Sequence, residues 1–180
     1  MVNTEARKPQ SSIHLSSPLY FCEMCYLPNT IIIADDDADD SLFLMEALCT
    51  LKLELVIINV PNGQRLIDVL GSISPSFIFM DINMPKKNGF EALKQIRSSK
   101  IFDQPIVIMC STSGAQNEIK MSQEFGADLY LKKPNDLKNL NKMIEDVFRM
   151  DWGNKEKKLL KEFTMDSDNG YVSRTIKASA

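Results

Sequence analysis

The chain has 180 residues, 44% of them hydrophobic and 25% charged, with a formal net charge of −3. That composition suits one globular domain of ordinary core size carrying extensions. No apolar run approaches the ~18 residues of a membrane span, the first residues lack the apolar core of a signal peptide, and residues 29–152 hold 18 acidic against 13 basic groups, which argues against nucleic acid as the main partner.

A cytoplasmic protein is expected. Four cysteines are scattered, and Cys22-Glu23-Met24-Cys25 is a lone pair spacing in a chain whose one histidine is His14, a poor basis for metal or redox chemistry. Residues 1–28 mix Ser, Pro, Asn and Thr around a short apolar patch, Leu19-Tyr20-Phe21, and read as a disordered or loosely attached extension.

From Thr30 the pattern alternates between short apolar runs and amphipathic stretches. Thr30 to Ala34 predicts a strand, followed by a helix over about 38 to 50 with Leu44, Leu48 and Leu51 on one face. Asp37, Asp39 and Asp40 read as charge at the positive end of that helix. Glu54 to Val60 is the second strand, and Pro61-Asn62-Gly63 opens a helix that ends near Gly71. Phe77 to Met80 is the third strand, and Phe90, Leu93 and Ile96 mark the third helix. A strand over 106–111 and a helix from about 115 to 125, stopped by Gly126, come next. The last pair is a strand over 128–132 and a helix capped by Asn135 or Asp136, with Leu137, Leu140, Ile144 and Val147 facing inward.

Strands alternating with helices predict an α/β fold, a (βα)5 doubly wound parallel sheet of five strands covered on both faces. Right-handed crossovers and the flavodoxin-like order 2-1-3-4-5 set the first strand beside the third. Past Asp151-Trp152 the composition turns polar. Residues 153–180 read as a solvated tail, with a short basic amphipathic helix over Lys155 to Phe163 as the alternative, and nothing after Asp166 carries the pattern of a folded element.

The strand ends carry the chemistry. The first stops on Asp35-Asp36 and the third on Asp81, followed by the Pro/Asn/Gly loop Met84-Pro85-Lys86-Lys87-Asn88-Gly89. Two unit charges ~4 Å apart repel by about 4 kcal/mol at an effective dielectric of about 20, so three acids at one edge call for a cation, and Mg²⁺ is the usual partner of carboxylates beside phosphate. The fourth strand ends on Ser111 and the fifth on Lys132-Lys133-Pro134.

In this order the residues resemble the receiver domain of two-component response regulators, over roughly residues 29–152. The resemblance rests on Asp35-Asp36, the Asp81 loop with Met84-Pro85 and Gly89, Ser111, and Lys133-Pro134, with the expected 22 positions from hydroxyl to lysine. It implies a stand-alone receiver that takes a phosphoryl group on Asp81 from a histidine kinase or histidine phosphotransfer protein. Mg²⁺ would be bound by Asp36, Asp81 and the backbone carbonyl of Asn83, with Asp35 acting mainly through water. Lys133 would pair with Asp81 and then with the phosphoryl group, to which Ser111 would donate. Lys132 is its rival, but a neighbouring strand position faces the other way. Asn83 and Ser113 would tune hydrolysis, and the Lys133-Pro134 bond would be cis. Met24 stands just ahead of where such a domain begins, so the choice of start codon is open between Met1 and Met24. One departure is the spacing from Pro105. Registered there, Cys110 would take the hydroxyl's place, but the spacing to Lys133 favours Ser111.

Such a domain is a signalling module that phosphorylates and dephosphorylates itself, not a conventional enzyme. Tyr130 matches the aromatic that turns inward with Ser111, changing the face formed by the fourth helix, fifth strand and fifth helix, where a downstream protein or a second copy is expected to bind. That face is expected to include Ile119, Tyr130 and parts of 136–149. A phosphorylation-independent pseudo-receiver is the alternative. A haloacid-dehalogenase phosphatase would need an acid where Asn83 stands, and a flavodoxin would need a phosphate loop where Asp35 and Asp36 stand.

Overall fold

The computed structural model describes residues 25–26, 30–99, 102, 105–152, 164–166 and 170–172. The elements in chain order are β1 (Cys25–Tyr26), β2 (Thr30–Ala34), α1 (Ala38–Cys49), β3 (Val56–Val60), α2 (Gly63–Leu70), β4 (Ile73–Ser74), β5 (Phe77–Asp81), α3 (Gly89–Ser98), β6 (Ile106–Ser111), α4 (Gln116–Glu124), β7 (Leu129–Lys132), α5 (Leu137–Arg149), β8 (Thr164–Asp166) and β9 (Gly170–Val172).

The main sheet runs β3-β2-β5-β6-β7-β8-β9. Its first five strands are parallel and stand in the expected order, so β2 is hydrogen-bonded to β5 with Ala34 opposite Met80. Side chains alternate across the pleat, which divides the core in two. Ile31, Ile33, Phe79, Ile108 and Leu131 face Leu44, Leu48, Leu140, Ile144 and Val147 of α1 and α5. Ile32, Ile78, Met80, Val107 and Met109 face Leu66, Leu70, Leu93 and Ile96 of α2 and α3. Central strands buried on both faces explain the continuous apolar runs of the sequence.

Helix boundaries follow from caps. Asp37 accepts from the N–H groups of Asp39 and Asp40, Asn62 from Arg65, and Asp136 from Asn139. Asn88 and Glu91 form a reciprocal capping box at α3. Each places a side-chain acceptor on otherwise orphan amides of the first turn.

The sheet continues past the five expected strands. β8 pairs in parallel with β7, setting Leu131 opposite Met165, and β9 pairs antiparallel with β8. Residues 153–180 are therefore not simply a polar tail, and folded structure continues beyond Asp166. Met165 is 3% exposed and belongs to the α1/α5 core. Three residues with one apolar member are too short for a period-2 signal, while the open edge of β7 offers unpaired amides and carbonyls that reward pairing. A second departure lies within residues 1–28, where Cys25–Tyr26 pairs in parallel with Ile73–Ser74. The Leu19-Tyr20-Phe21 patch and the Lys155 to Phe163 segment lie outside the described residues. Among the described residues no helix is long and apolar enough to cross a membrane.

Candidate functional site

Asp81 is the last residue of β5, at the C-terminal edge where open α/β sheets bind ligands. The loop after it is anchored by buried Ile82 and Met84 and closed by the Gly89 N–H donating to Ile82 O at 2.9 Å. Gly89 is required by close approach: a Cβ there would collide with Asp81 O and lie 3.0 Å from Ile82 Cα. Lys86 holds the left-handed turn of this loop with φ 64°.

Lys133 gathers the acids. Its N–H donates to Ser111 O at 2.7 Å, carrying β7 pairing one residue past its end. Its ammonium donates to Asp35 Oδ2 at 2.7 Å, Asp40 Oδ2 at 2.8 Å and Asp81 Oδ1 at 2.8 Å. Asp81 Oδ2 accepts from the N–H of Asn83, and Asp35 Oδ1 from the N–H of Asp37. Asp35 is 8% exposed, whereas Asp36 and Asn83 are exposed. Lys132 turns away, as strand alternation requires, and pairs with Asp166 at 3.3 Å.

Burial lowers the affinity of Lys133 for its proton, but the bonds to Asp35, Asp40 and Asp81 outweigh it and hold the pKa well above the ordinary value. Burial raises the pKa of Asp35, against the opposing pull of Lys133. Burial also pushes the Cys110 thiol up to about 12, so Cys110 sits in the core as an inert thiol.

Ser111, 2% exposed, belongs to a second cluster. Its hydroxyl donates to Glu118 Oε2 at 3.4 Å and accepts from the N–H of Ser113 at 3.1 Å. The Tyr130 hydroxyl donates to Ser113 O at 2.7 Å and lies 3.1 Å from Glu118 Oε2. Burial pushes the Tyr130 phenol up to about 12, with the Ser111 bond opposing and Glu118 reinforcing. Ser113 is half-buried, and its Oγ accepts from the N–H of Ala115 at 3.1 Å. Tyr130 is fully buried, so it is already turned inward and forms no part of the expected docking surface. Its side chain packs on the α2/α3 face of the sheet, in the cluster with Met109, Ile119 and Phe125. The Lys133-Pro134 bond is trans, since there is no cis peptide among the described residues, which corrects the isomer that the resemblance implied.

The structure thus brings together Asp35, Asp81 and Lys133 at one point and Ser111, Ser113 and Tyr130 at another. It adds two residues that sequence reasoning missed. Asp40 has the sequence pattern of helix-start charge, yet it lies four positions before inward-facing Leu44, and that spacing is the available signal. Glu118 likewise lies four positions before buried Ser122, whose hydroxyl donates to Glu118 O at 2.7 Å.

As a test of metal fit, Asp35, Asp36 and Asp81 offer only oxygen donors, the set that hard divalent cations prefer. Three carboxylates share one ammonium, so negative charge remains in excess. Among the described residues no three acidic, His or Cys side chains already converge as a metal cage. The chemistry of the donors fits, and Asp36, next in sequence to Asp35, is exposed.

The family model for the response regulator receiver domain matches residues 31–145. Response regulator Rcp1 of Synechocystis sp. is 28% identical over 127 residues, covering 67% of this chain and 86% of its own length. The transcriptional regulatory protein CpxR of Escherichia coli is 29% identical over 151 residues, covering 83% of this chain but 59% of its own length. Among solved structures, the Mn(2+)-bound form of Rcp1 matches with a TM-score of 0.60 at 28% identity, covering 67% of this chain and 91% of that one. The phosphorylated cyanobacterial phytochrome response regulator RcpA matches with a TM-score of 0.61 at 25% identity, covering 66% and 90%. With the match running from β2 into α5, across the elements that set Asp81 beside Lys133, this chain belongs to the response regulator receiver domain family, the signalling modules of two-component systems.

Proposed function

We propose that the chain accepts a phosphoryl group on Asp81 from a phosphohistidine of a histidine kinase or histidine phosphotransfer protein, in a Mg²⁺-dependent reaction, and signals through protein contacts. The observation that carries this reading is the Lys133 ammonium 2.8 Å from the Asp81 carboxylate at the strand edge. In the transfer, a carboxylate oxygen of Asp81 forms a bond to phosphorus as the N–P bond of the donor breaks, and the electron pair returns to the imidazole. Such chemistry asks the protein mainly for position and charge neutralisation.

Lys133, a compact charge on a flexible stem, follows the phosphoryl oxygens. Asp36, Asp81 and the carbonyl of Asn83 would hold Mg²⁺, with Asp35 behind them. Bound there, the ion would neutralise charge on the phosphoryl oxygens. The Ser111 hydroxyl leaves Glu118 to donate to the phosphoryl group, because a charge-assisted bond is roughly twice as strong as a neutral one. That exchange loosens the Ser111–Glu118–Tyr130 cluster, which ties β6 and β7 to α4. Tyr130 then changes partners without swinging in from solvent. The surface of α4 and α5, with Ile119 at its margin, is the face offered to a downstream protein or a second copy. Exposed Asn83 and half-buried Ser113 flank the path of attacking water and set the lifetime of the acyl phosphate.

Two relatives support the reading by what their structures hold, Mn(2+) in Rcp1 and a phosphoryl group in RcpA. Incubation with acetyl phosphate and Mg²⁺, followed by intact mass and an Asp81→Asn control, tests it. A gain of one phosphoryl group that the variant lacks is expected. No gain in the wild-type chain would leave a phosphorylation-independent binding module.

A further inference from the structure

We propose that Asp40 is a positioning residue for phosphoryl transfer. It occupies the third donor of the Lys133 ammonium in the resting protein and is displaced by the arriving phosphoryl oxygen. The inference rests on Asp81 being the phosphoacceptor.

A lysine ammonium has three donors. All three are engaged, by Asp35 at 2.7 Å, Asp40 at 2.8 Å and Asp81 at 2.8 Å. A phosphoryl oxygen that needs Lys133 must therefore replace one acceptor. Asp81 carries the group. Asp35 is held by the Asp37 N–H and its side chain is 7% exposed. Asp40 is 41% exposed, in the first turn of α1, so its release leaves the least charge buried. It also borders a cleft of about 250 Å³ whose lining includes Asp39, Phe43, Thr112 and Asn135, and this gives the displaced carboxylate room to turn towards water.

Two consequences follow from charge. Asp40 keeps the ammonium aimed at the site before the donor arrives, and it repels the anionic donor as it enters. Removing its charge should favour entry. With acetyl phosphate, the Asp81–phosphorus bond forms as the P–O bond to acetate breaks, and acetate leaves with the electron pair. None of these atoms belongs to Asp40, which acts through Lys133.

The test compares wild type, Asp40→Asn, Asp40→Ala and the control Asp39→Asn, which removes the same charge from the same helical turn. Labelling rate is followed against acetyl phosphate concentration at fixed Mg²⁺, and beryllofluoride binding is followed by calorimetry. Both Asp40 variants should lower the half-saturating acetyl phosphate and the beryllofluoride dissociation constant by about two- to five-fold, the scale of a partly exposed ion pair. The maximal rate should move less, and the effect should shrink in high salt. Asp39→Asn should move both constants less. Asp40→Asn keeps the side-chain shape and decides the matter if the alanine variant misfolds. Unchanged constants in Asp40→Asn, weaker beryllofluoride binding, or an equal shift in Asp39→Asn would overturn the inference alone. Absence of labelling in wild type would overturn it together with the phosphoacceptor reading.

Discussion

Lys133 donates to Asp81 Oδ1 at 2.8 Å across 52 positions of sequence, with side chains only 17% and 12% exposed. A pair so placed is weakly screened, and removing one member strands the other.

Lys133→Met should therefore destabilise the fold by about 2 kcal/mol or more, less than the ~3–5 kcal/mol of a fully buried pair because Asp40 reaches water. Urea titration reads this, and Mg²⁺ should restore more stability to the variant than to the wild type. In the wild type the folded pKa of Lys133 lies above its ordinary 10.5, so the stabilisation is fully present below pH 10.5 and is lost as the pH rises through the folded value. Asp35 lies above its ordinary 3.8. Its contribution is fully present below that value and is lost as the pH rises through the folded pKa. Without Lys133 to oppose burial, mild acidification from neutral pH should stabilise the variant relative to wild type, and a flat difference would refute this.

Asp36→Ala should abolish or strongly reduce labelling of Asp81 by acetyl phosphate. It should leave stability within about 0.5 kcal/mol, because Asp36 is exposed. Intact mass and a thermal melt on the same sample separate the two effects, and full labelling would remove Asp36 from the metal set.

Met165→Ala should cost about 2 kcal/mol, at the low end of large-to-small core substitutions since β8 has only three residues. Asp166→Ala should cost about 1 kcal/mol or less through loss of the partly exposed pair with Lys132. Hydrogen exchange should show faster exchange of β7 amides in Met165→Ala. Unchanged stability in both variants would mean that the C-terminal strands contribute nothing to the sheet.

Tyr130 should be silent in a phenolate absorbance titration through pH 10, the ordinary value, and ionise near pH 12. Stability linked to its neutral form is fully present below pH 10.0 and is lost as the pH rises through about 12. Tyr130→Phe should leave the amplitude near pH 10 intact and cost about 1–2 kcal/mol, since Ser113 O and Glu118 lose a donor. Amplitude lost near pH 10 would place Tyr130 in solvent.

Legible in the chain were the order of the five central strands, the opening of α2 at Pro61-Asn62-Gly63, a cap for α5 at Asn135 or Asp136, of which the structure uses Asp136, the stop at Gly126, and the placing of Asp35, Asp81 and Lys133 at strand ends. These were legible because each rests on local pattern: apolar runs of strand length, turn residues, and acids or a lysine placed where such runs end. Right-handed crossovers then leave little choice of topology.

Other features depend on how distant elements pack. Asp37 and Asp40 look alike in the chain, but one caps α1 and the other reaches Lys133, a difference made by which face of the helix turns to the sheet edge. The bond of Glu118 to Ser111 depends on how α4 lies against β7. β8 is too short to announce itself, and its partner strand supplies what its own sequence lacks, an edge of unpaired backbone groups and a place in the core for Met165. Whether a side chain such as Tyr130 faces solvent or core depends on what packs on that face of its strand, here Ile119, Phe125 and the Glu118 carboxylate.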